Sequence, residues 1–250
     1  FRLLLVDNSP TGSLRLPGAL RATATLVVNR NRHRLAGGIN RGMASPALAA
    51  AQAITLLDQD SRIDGDSLDE LRVRLLSAEA TVWGPMVFDA ERHRLQAAPG
   101  LRADWFLMTS GTTLRLRDWN RIGPYGEALE IDYLDHEWSA RARGQGYQLA
   151  CSANAVLVQM FGARHPNRLC RRLGMHLYSP LRHQAAVRNL LWLCRRDDLP
   201  LSFKIKEVLK LVFKAPLWLL FEPRRRENWM AILCGLCQGC ARQPRSVVSG

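Results

Sequence analysis

Two groups of residues could do chemistry by their type and spacing. Asp58-Gln59-Asp60 closes a short strand-like run, residues 54–57. Two carboxylates one residue apart on a turn suit a hard divalent cation, Mg2+ or Mn2+, that still has positions open for diphosphate oxygens. Aspartate is also common in ordinary turns, so the pair alone is a weak signal. The second group is Glu130-Ile131-Asp132-Tyr133-Leu134-Asp135-His136-Glu137-Trp138, with four acids and a histidine packed ahead of a short helix-like stretch. Such a cluster can supply a general base. It equally suits a solvated helix start whose acids favour the N-terminal dipole. Pattern alone does not separate Asp135 from Asp132 or Glu137.

The elements that would position these groups alternate in type. Residues 3–6 read as a strand ending in the turn Asp7-Asn8-Ser9-Pro10, and residues 25–28 as a second strand. A glycine-rich segment, 36–42, opens into an alanine-rich stretch, 45–53, that the composition predicts as helix. Residues 54–57 are expected to be a buried strand, 68–76 a helix, and 81–88 and 105–108 strands. This alternation argues for an α/β fold with a mostly parallel sheet flanked by helices. In such sheets ligands gather beyond the carboxyl ends of strands, where the turns at Asp7 and Asp58 fall. From residue 179 onward the pattern is helical, over 181–196, 203–213 and 227–238. The expected division is therefore a sheet domain, 1–178, with a helical extension, 179–250, packed on it.

Composition bounds the reading. The 250 residues are 47% hydrophobic and 23% charged, which suits a packed globular core. The net charge of +13 is uneven: residues 1–159 carry 18 basic against 17 acidic side chains, and 160–250 carry 17 against five. Arginine outnumbers lysine 31 to 4, so the basicity is discounted as a nucleic-acid signal. No reading motif and no basic face interleaved with aromatics is present, and no nucleic acid is expected as partner. Residues 203–226 mix apolar side chains with Lys204, Lys206, Lys210, Lys214 and Arg224-Arg225-Arg226. That stretch suits an anionic membrane interface, or a packed helix with a solvated lysine face. No run of 18 apolar residues is present, which argues against a conventional transmembrane helix. The opening Phe1-Arg2-Leu3 lacks the basic lead of a signal peptide and reads as a chain entered at the start of a strand. Cys234, Cys237 and Cys240 are spaced for one helix face and lack the fourth ligand of a zinc or iron–sulfur site. His33, His93, His165, His176 and His183 show no ligand pairing and are expected in surface or partly buried structural roles. Arg182 and Arg188 suit either a phosphate or a solvated helix face.

Taken together, Val6-Asp7-Asn8-Ser9, Leu56-Leu57-Asp58-Gln59-Asp60-Ser61, Met108-Thr109-Ser110-Gly111-Thr112, the run 132–138 and Val187-Arg188-Asn189-Leu190 resemble the family 2 inverting glycosyltransferases of GT-A fold. Within them the chain looks like the bacterial rhamnosyltransferases of surface-polysaccharide synthesis. The resemblance implies a Rossmann-like sheet and transfer of L-rhamnose from dTDP-L-rhamnose to a lipid-linked glycan. The expected location is the cytoplasmic face of the bacterial membrane, held peripherally. It implies that Asp7 contacts the nucleotide base, that Asp58 faces ribose and metal, and that Asp60 binds the metal, Mg2+ or Mn2+, that bridges the diphosphate. Asp135 matches the general base, and Thr109, Ser110, Gly111, His136, Glu137 and Trp138 would line the donor and acceptor pocket. The resemblance also implies one strand ahead of the Asp7 turn that this sequence does not supply. A glycine expected just before the glycine-rich loop is replaced by the bulky Arg32-His33-Arg34, and a tyrosine pair by Gln184-Ala185.

Overall fold

The computed structural model describes residues 1–90, 94–95 and 106–241. Its first half runs β1 (Leu3–Asp7), β2 (Ala24–Val28), α1 (Arg34–Met43), β3 (Ile54–Thr55), β4 (Ser61–Ile63), α2 (Gly65–Ser77), β5 (Thr81–Asp89) and β6 (Arg94–Leu95). There follow β7 (Thr113–Leu114), α3 (Leu116–Ile122), α4 (Leu134–Gly144), β8 (Gln148–Gln159), β9 (Ala163–Arg164), α5 (Arg168–Arg172) and β10 (His176–Leu177). Three helices close the described chain: α6 (Pro180–Cys194), α7 (Leu201–Phe221) and α8 (Arg225–Cys240).

The sheet that carries the turns is ordered β3-β7-β5-β8-β4, with β6 also on β5. Its spine is β5, an almost continuously buried run, lying parallel to β8 over nine residue pairs. Burial on both faces is what such an unbroken apolar strand requires. Pro85 cannot donate to a ladder, and the register slips beside it: Pro85 pairs with Ser152, and Met86 with Val156. β1 and β2 form a separate parallel pair. Parallel register thus belongs to the two long ladders, and the short ones are antiparallel. Helices cover both faces. Leu71 and Leu75 of α2 pack on Trp83 and Ala150, while Trp119, Leu134 and Trp138 join Val82, Leu114 and Leu149 in the larger core. A third cluster, with Cys170, Val187, Trp218 and Ile232, ties α6, α7 and α8 together.

Several expectations need correction. The helix lies over the glycine-rich segment, as α1, and the alanine-rich stretch holds only a 3-10 turn at Pro46–Leu48. Close packing decides this, because a Cβ on Gly42 would come within 2.7 Å of Val6 Cγ2 on β1. Only Ile54 of 54–57 is buried, and Leu57 is 46% exposed. Phe106 to Met108 form no strand, and Trp105 lies outside the described residues. The longest strand, β8, was not expected at all. His165 and His183 are fully buried, beyond the surface or partly buried placing expected: His183 Nε2 meets Glu222 Oε2 at 2.8 Å and its ring stacks on Trp218 at 4.0 Å. His93 lies outside the described residues. The bulky substitution at 32–34 has a backbone signature, since His33 and Arg34 take φ of 51° and 49°, in the left-handed region. Cys234, Cys237 and Cys240 are free thiols on α8, all exposed.

Candidate active site

The turn carrying Asp58 and Asp60 links β3 to β4 and is fastened to the 108–112 loop. Leu56 N–H donates to the Thr112 carbonyl at 2.9 Å, and Gly111 N–H to the Leu56 carbonyl at 2.7 Å. Asp58 N–H donates to Ser110 Oγ at 3.1 Å, and the hydroxyls of Ser110 and Ser61 lie 2.6 Å apart. The Ser61 hydroxyl donates to Gln159 Oε1, and the Gln159 amide donates to Asp60 Oδ1 at 3.0 Å. Two segments that the sequence places far apart thus meet directly, and Gln159 at the end of β8, which sequence reasoning missed, braces the turn at Ser61 and Asp60. Burial pushes the Asp58 carboxyl up to about 6, and the negative charges of Asp60 and then Asp135 push the same way; Arg182 and Gln159 oppose them.

Asp135 sits in the first turn of α4, behind a strained loop. Glu130, Asp132 and Tyr133 take φ of 60°, 60° and 62°. The loop is held from α6: the fully buried Asn189 donates through Nδ2 to the carbonyls of Leu129 and Ile131, both at 2.8 Å, and of Asp132 at 3.0 Å. Arg188 adds contacts to the Ala128 and Leu129 carbonyls at 3.2 and 3.1 Å. Its role is therefore to grip this loop, in neither of the ways the sequence offered.

The three rival acids are separated by their partners. Asp132 is gripped by Arg182, whose Nε and Nη2 reach it at 2.9–3.1 Å and whose guanidinium lies 4.1 Å over the Tyr178 ring. Glu137 is buried and accepts from Arg141 at 3.2 and 3.0 Å and from Arg196 at 3.0 Å. Asp135 Oδ1 accepts from the His136 N–H at 3.0 Å and lies 2.8 Å from His136 Nδ1, while Oδ2 has no hydrogen-bond partner among the described residues. His136 is itself stacked on Phe106 at 3.7 Å and braced by Tyr133 and Phe203.

Other expected residues are placed differently. Trp138 is 2% exposed, packs on Trp119 and Tyr125, and donates from Nε1 to the Gly123 carbonyl at 2.9 Å. It lies within the core. Thr109 Oγ1 is 3.5 Å from the buried Tyr125 hydroxyl, which burial holds in its protonated form, reinforced by Asp135 and Asp58. Asp7, at the end of β1, accepts from Ser9 N–H at 2.9 Å and Leu14 N–H at 2.8 Å. The Ser9 side chain and these amides hold its carboxyl below the usual range. These bonds stay in its own loop, and none joins it to Asp58 or Asp60. Among the described residues no group of three His, Cys, Asp or Glu side chains is placed to hold a metal ion. Asp58 and Asp60 nonetheless fit a hard cation completed by water and diphosphate, since both carboxylates sit on one turn that Ser110 and Gln159 hold in place.

No family model matches the chain. Solved structures define the class of fold, that of the GT-A glycosyltransferases. GalNAc-T7 with UDP, GalNAc and Mn2+ aligns with TM-score 0.51 and 13% identity, covering 84% of this chain and 48% of its own. TarS of S. aureus aligns with TM-score 0.55 and 11% identity, covering 96% and 44%. TarS 1–349 in complex with UDP aligns with TM-score 0.53 and 12% identity, covering 96% and 71%. The chain thus spans about half the length of GalNAc-T7 and of full TarS. By sequence it is 23% identical over 224 residues to the dTDP-rhamnosyl transferase RfbF of Shigella flexneri, covering 83% of this chain and 75% of that protein. The fold is therefore that of the GT-A glycosyltransferases, and the sequence is similar, at 23% identity, to a dTDP-rhamnosyl transferase.

Proposed function

We propose that this glycosyltransferase moves L-rhamnose from dTDP-L-rhamnose to a hydroxyl of a lipid-linked glycan, with inversion and with a divalent cation. The observation that carries the reading is the fastening of the Asp58–Asp60 turn: Asp58 N–H donates to Ser110 Oγ and the Gln159 amide donates to Asp60 Oδ1, so both carboxylates are held on one loop at a strand end. Asp58 and Asp60 would hold Mg2+ or Mn2+, which would supply positive charge to offset that of the departing diphosphate. Asp7 and its loop face the nucleotide base. Thr109, Ser110 and Gly111 wall the donor pocket, with Glu137 and Trp138 supporting it from the core. Asp135 takes the proton of the acceptor hydroxyl as that oxygen bonds the anomeric carbon and the bond to diphosphate breaks on the opposite face. His136 fixes the carboxylate for that step. A positioned base contributes roughly 10²–10⁴-fold.

Thermal unfolding with dTDP-L-rhamnose and other nucleotide sugars, each with and without Mg2+, tests this. A ligand at about 100 times its Kd adds roughly 2.7 kcal/mol, a shift of about 5–10 °C here. A Mg2+-dependent shift peculiar to dTDP-L-rhamnose is expected. A shift with a hexose or galactofuranose donor instead replaces the rhamnose, and no shift with any donor overturns the nucleotide-sugar reading.

The lipid-linked acceptor is supported by the face of α7 and α8. Ile205, Leu209, Val212 and Leu220 form one exposed apolar stripe on α7, flanked by Lys206 and Lys210. It continues through exposed Trp229 and Met230, beside Arg225 and Arg226. No helix among the described residues is long and apolar enough to cross a membrane. A basic-rimmed apolar face is what an anionic membrane surface selects. Sedimentation with anionic vesicles at low salt is expected to carry the protein down; failure removes the membrane from the reading.

A further inference from the structure

Beyond Gln159 the chain enters β9, α5 and β10, which the reaction does not use. There Arg164, Arg168, Arg171, Arg172, His165 and His176 line a hollow of about 430 Å3. No carboxylate lines it, and none of the four arginines forms an ion pair among the described residues. Four guanidiniums around one hollow with no carboxylate among them give it a positive field that favours an anion with several oxygens. Arg171 is fixed in place, its Nη1 donating to the carbonyls of His165 and Pro166 at 3.1 and 2.8 Å.

The second observation is independent of the arginines. His165 is 1% exposed, and its Nδ1 accepts from Asn167 N–H at 3.1 Å. That bond puts the ring proton on Nε2, and Nε2 is buried with no partner among the described residues. A buried donor left unmet costs about 1–3 kcal/mol, and His165 is one of the residues that line the hollow. Multiple guanidinium forks with one imidazole N–H match an anion bearing several oxygens on a tetrahedral centre. The wall is also joined to the acid loop: His176 packs 6.3 Å from Tyr178, and Tyr178 carries Arg182, the partner of Asp132.

We propose that this hollow is a phosphate or diphosphate site, separate from the Asp58–Asp60 turn. Its ligand is either a free oxyanion or the phosphorylated head of a lipid. The test is calorimetric titration of the whole chain with inorganic pyrophosphate in EDTA, where no cation can recruit the anion to Asp58 and Asp60. Wild-type protein is expected to bind it, and Arg168→Gln/Arg172→Gln to bind at least tenfold more weakly, with dTDP binding in Mg2+ unchanged. These arginines are exposed, so the variant keeps its fold. The ring Nε2–H resonance of His165 is expected to shift on addition of pyrophosphate. Farnesyl diphosphate binding tenfold tighter than pyrophosphate assigns the site to a lipid head, and equal affinity assigns it to a free anion. Absence of pyrophosphate binding, or equal affinity in the double variant, overturns the proposal.

Discussion

The amide of Asn189 donates to the carbonyl of Asp132 at 3.0 Å, across 57 residues of sequence, and so fixes the loop that presents Asp135. The same nitrogen serves Leu129 and Ile131, and Asp132 and Tyr133 stay in left-handed backbone that costs about 1–2 kcal/mol per residue. Replacing the donor by an acceptor of the same shape, Asn189→Asp, sets a carboxylate against three carbonyls. It is expected to cost about 3 kcal/mol in urea unfolding and to lower turnover in parallel. Unchanged stability would show that the loop holds itself.

A pH dependence follows from Asp58. Its carboxyl is raised from 3.8 to about 6, so between these values the folded state keeps a proton that the unfolded chain has released. Stability from this group therefore falls as pH rises from 4 to 6 and stays at its lowest above that. The penalty is about 2 kcal/mol after allowance for partial exposure. Asp58→Asn is expected to stabilise the cation-free protein by that order at pH 8 and to abolish Mg2+-dependent nucleotide binding. Denaturation at pH 4.5 and 8, with and without Mg2+, measures both.

What was legible in the sequence was local. Asp58-x-Asp60 at a strand end and the apolar run of β5 declare themselves within a few residues. β8 does not, because Ser152 and Asn154 interrupt its apolar pattern where the register slips beside Pro85. α1 runs through glycines against their propensity because Gly42 must lie on Val6. The ranking of Asp132, Asp135 and Glu137 was illegible for the same reason. Arg182 and Arg196 come from α6 and the residues just after it, 50 and 59 positions away, and only the fold delivers them.

Gly111 anchors the 108–112 loop and has no substitute. Its φ is +89°, and a Cβ there would lie 2.5 Å from Pro85 Cδ and Cγ. Gly111→Ala combines left-handed strain with a clash against β5 and is expected to cost about 3 kcal/mol. The hydrogen bond from its N–H to Leu56 would shift with it, so nucleotide binding is expected to weaken as well. A melting temperature equal to wild type would mean that the loop relaxes freely.

The assignment of the base separates two neighbouring acids by two different readouts. Asp135→Asn keeps the shape and the contact of Oδ1 with the His136 N–H while removing the proton acceptor. Turnover is expected to fall by roughly 10²–10⁴-fold, with unfolding free energy and nucleotide-sugar affinity unchanged. Glu137→Gln does the reverse. It removes the charge that Arg141 and Arg196 share in a buried setting, which costs about 3 kcal/mol of stability. The Glu137 variant that remains folded is expected to retain most of its turnover, because its carboxylate is already engaged by the two arginines. If Asp135→Asn turns over normally and the Glu137 variant is folded but inactive, the two roles are exchanged.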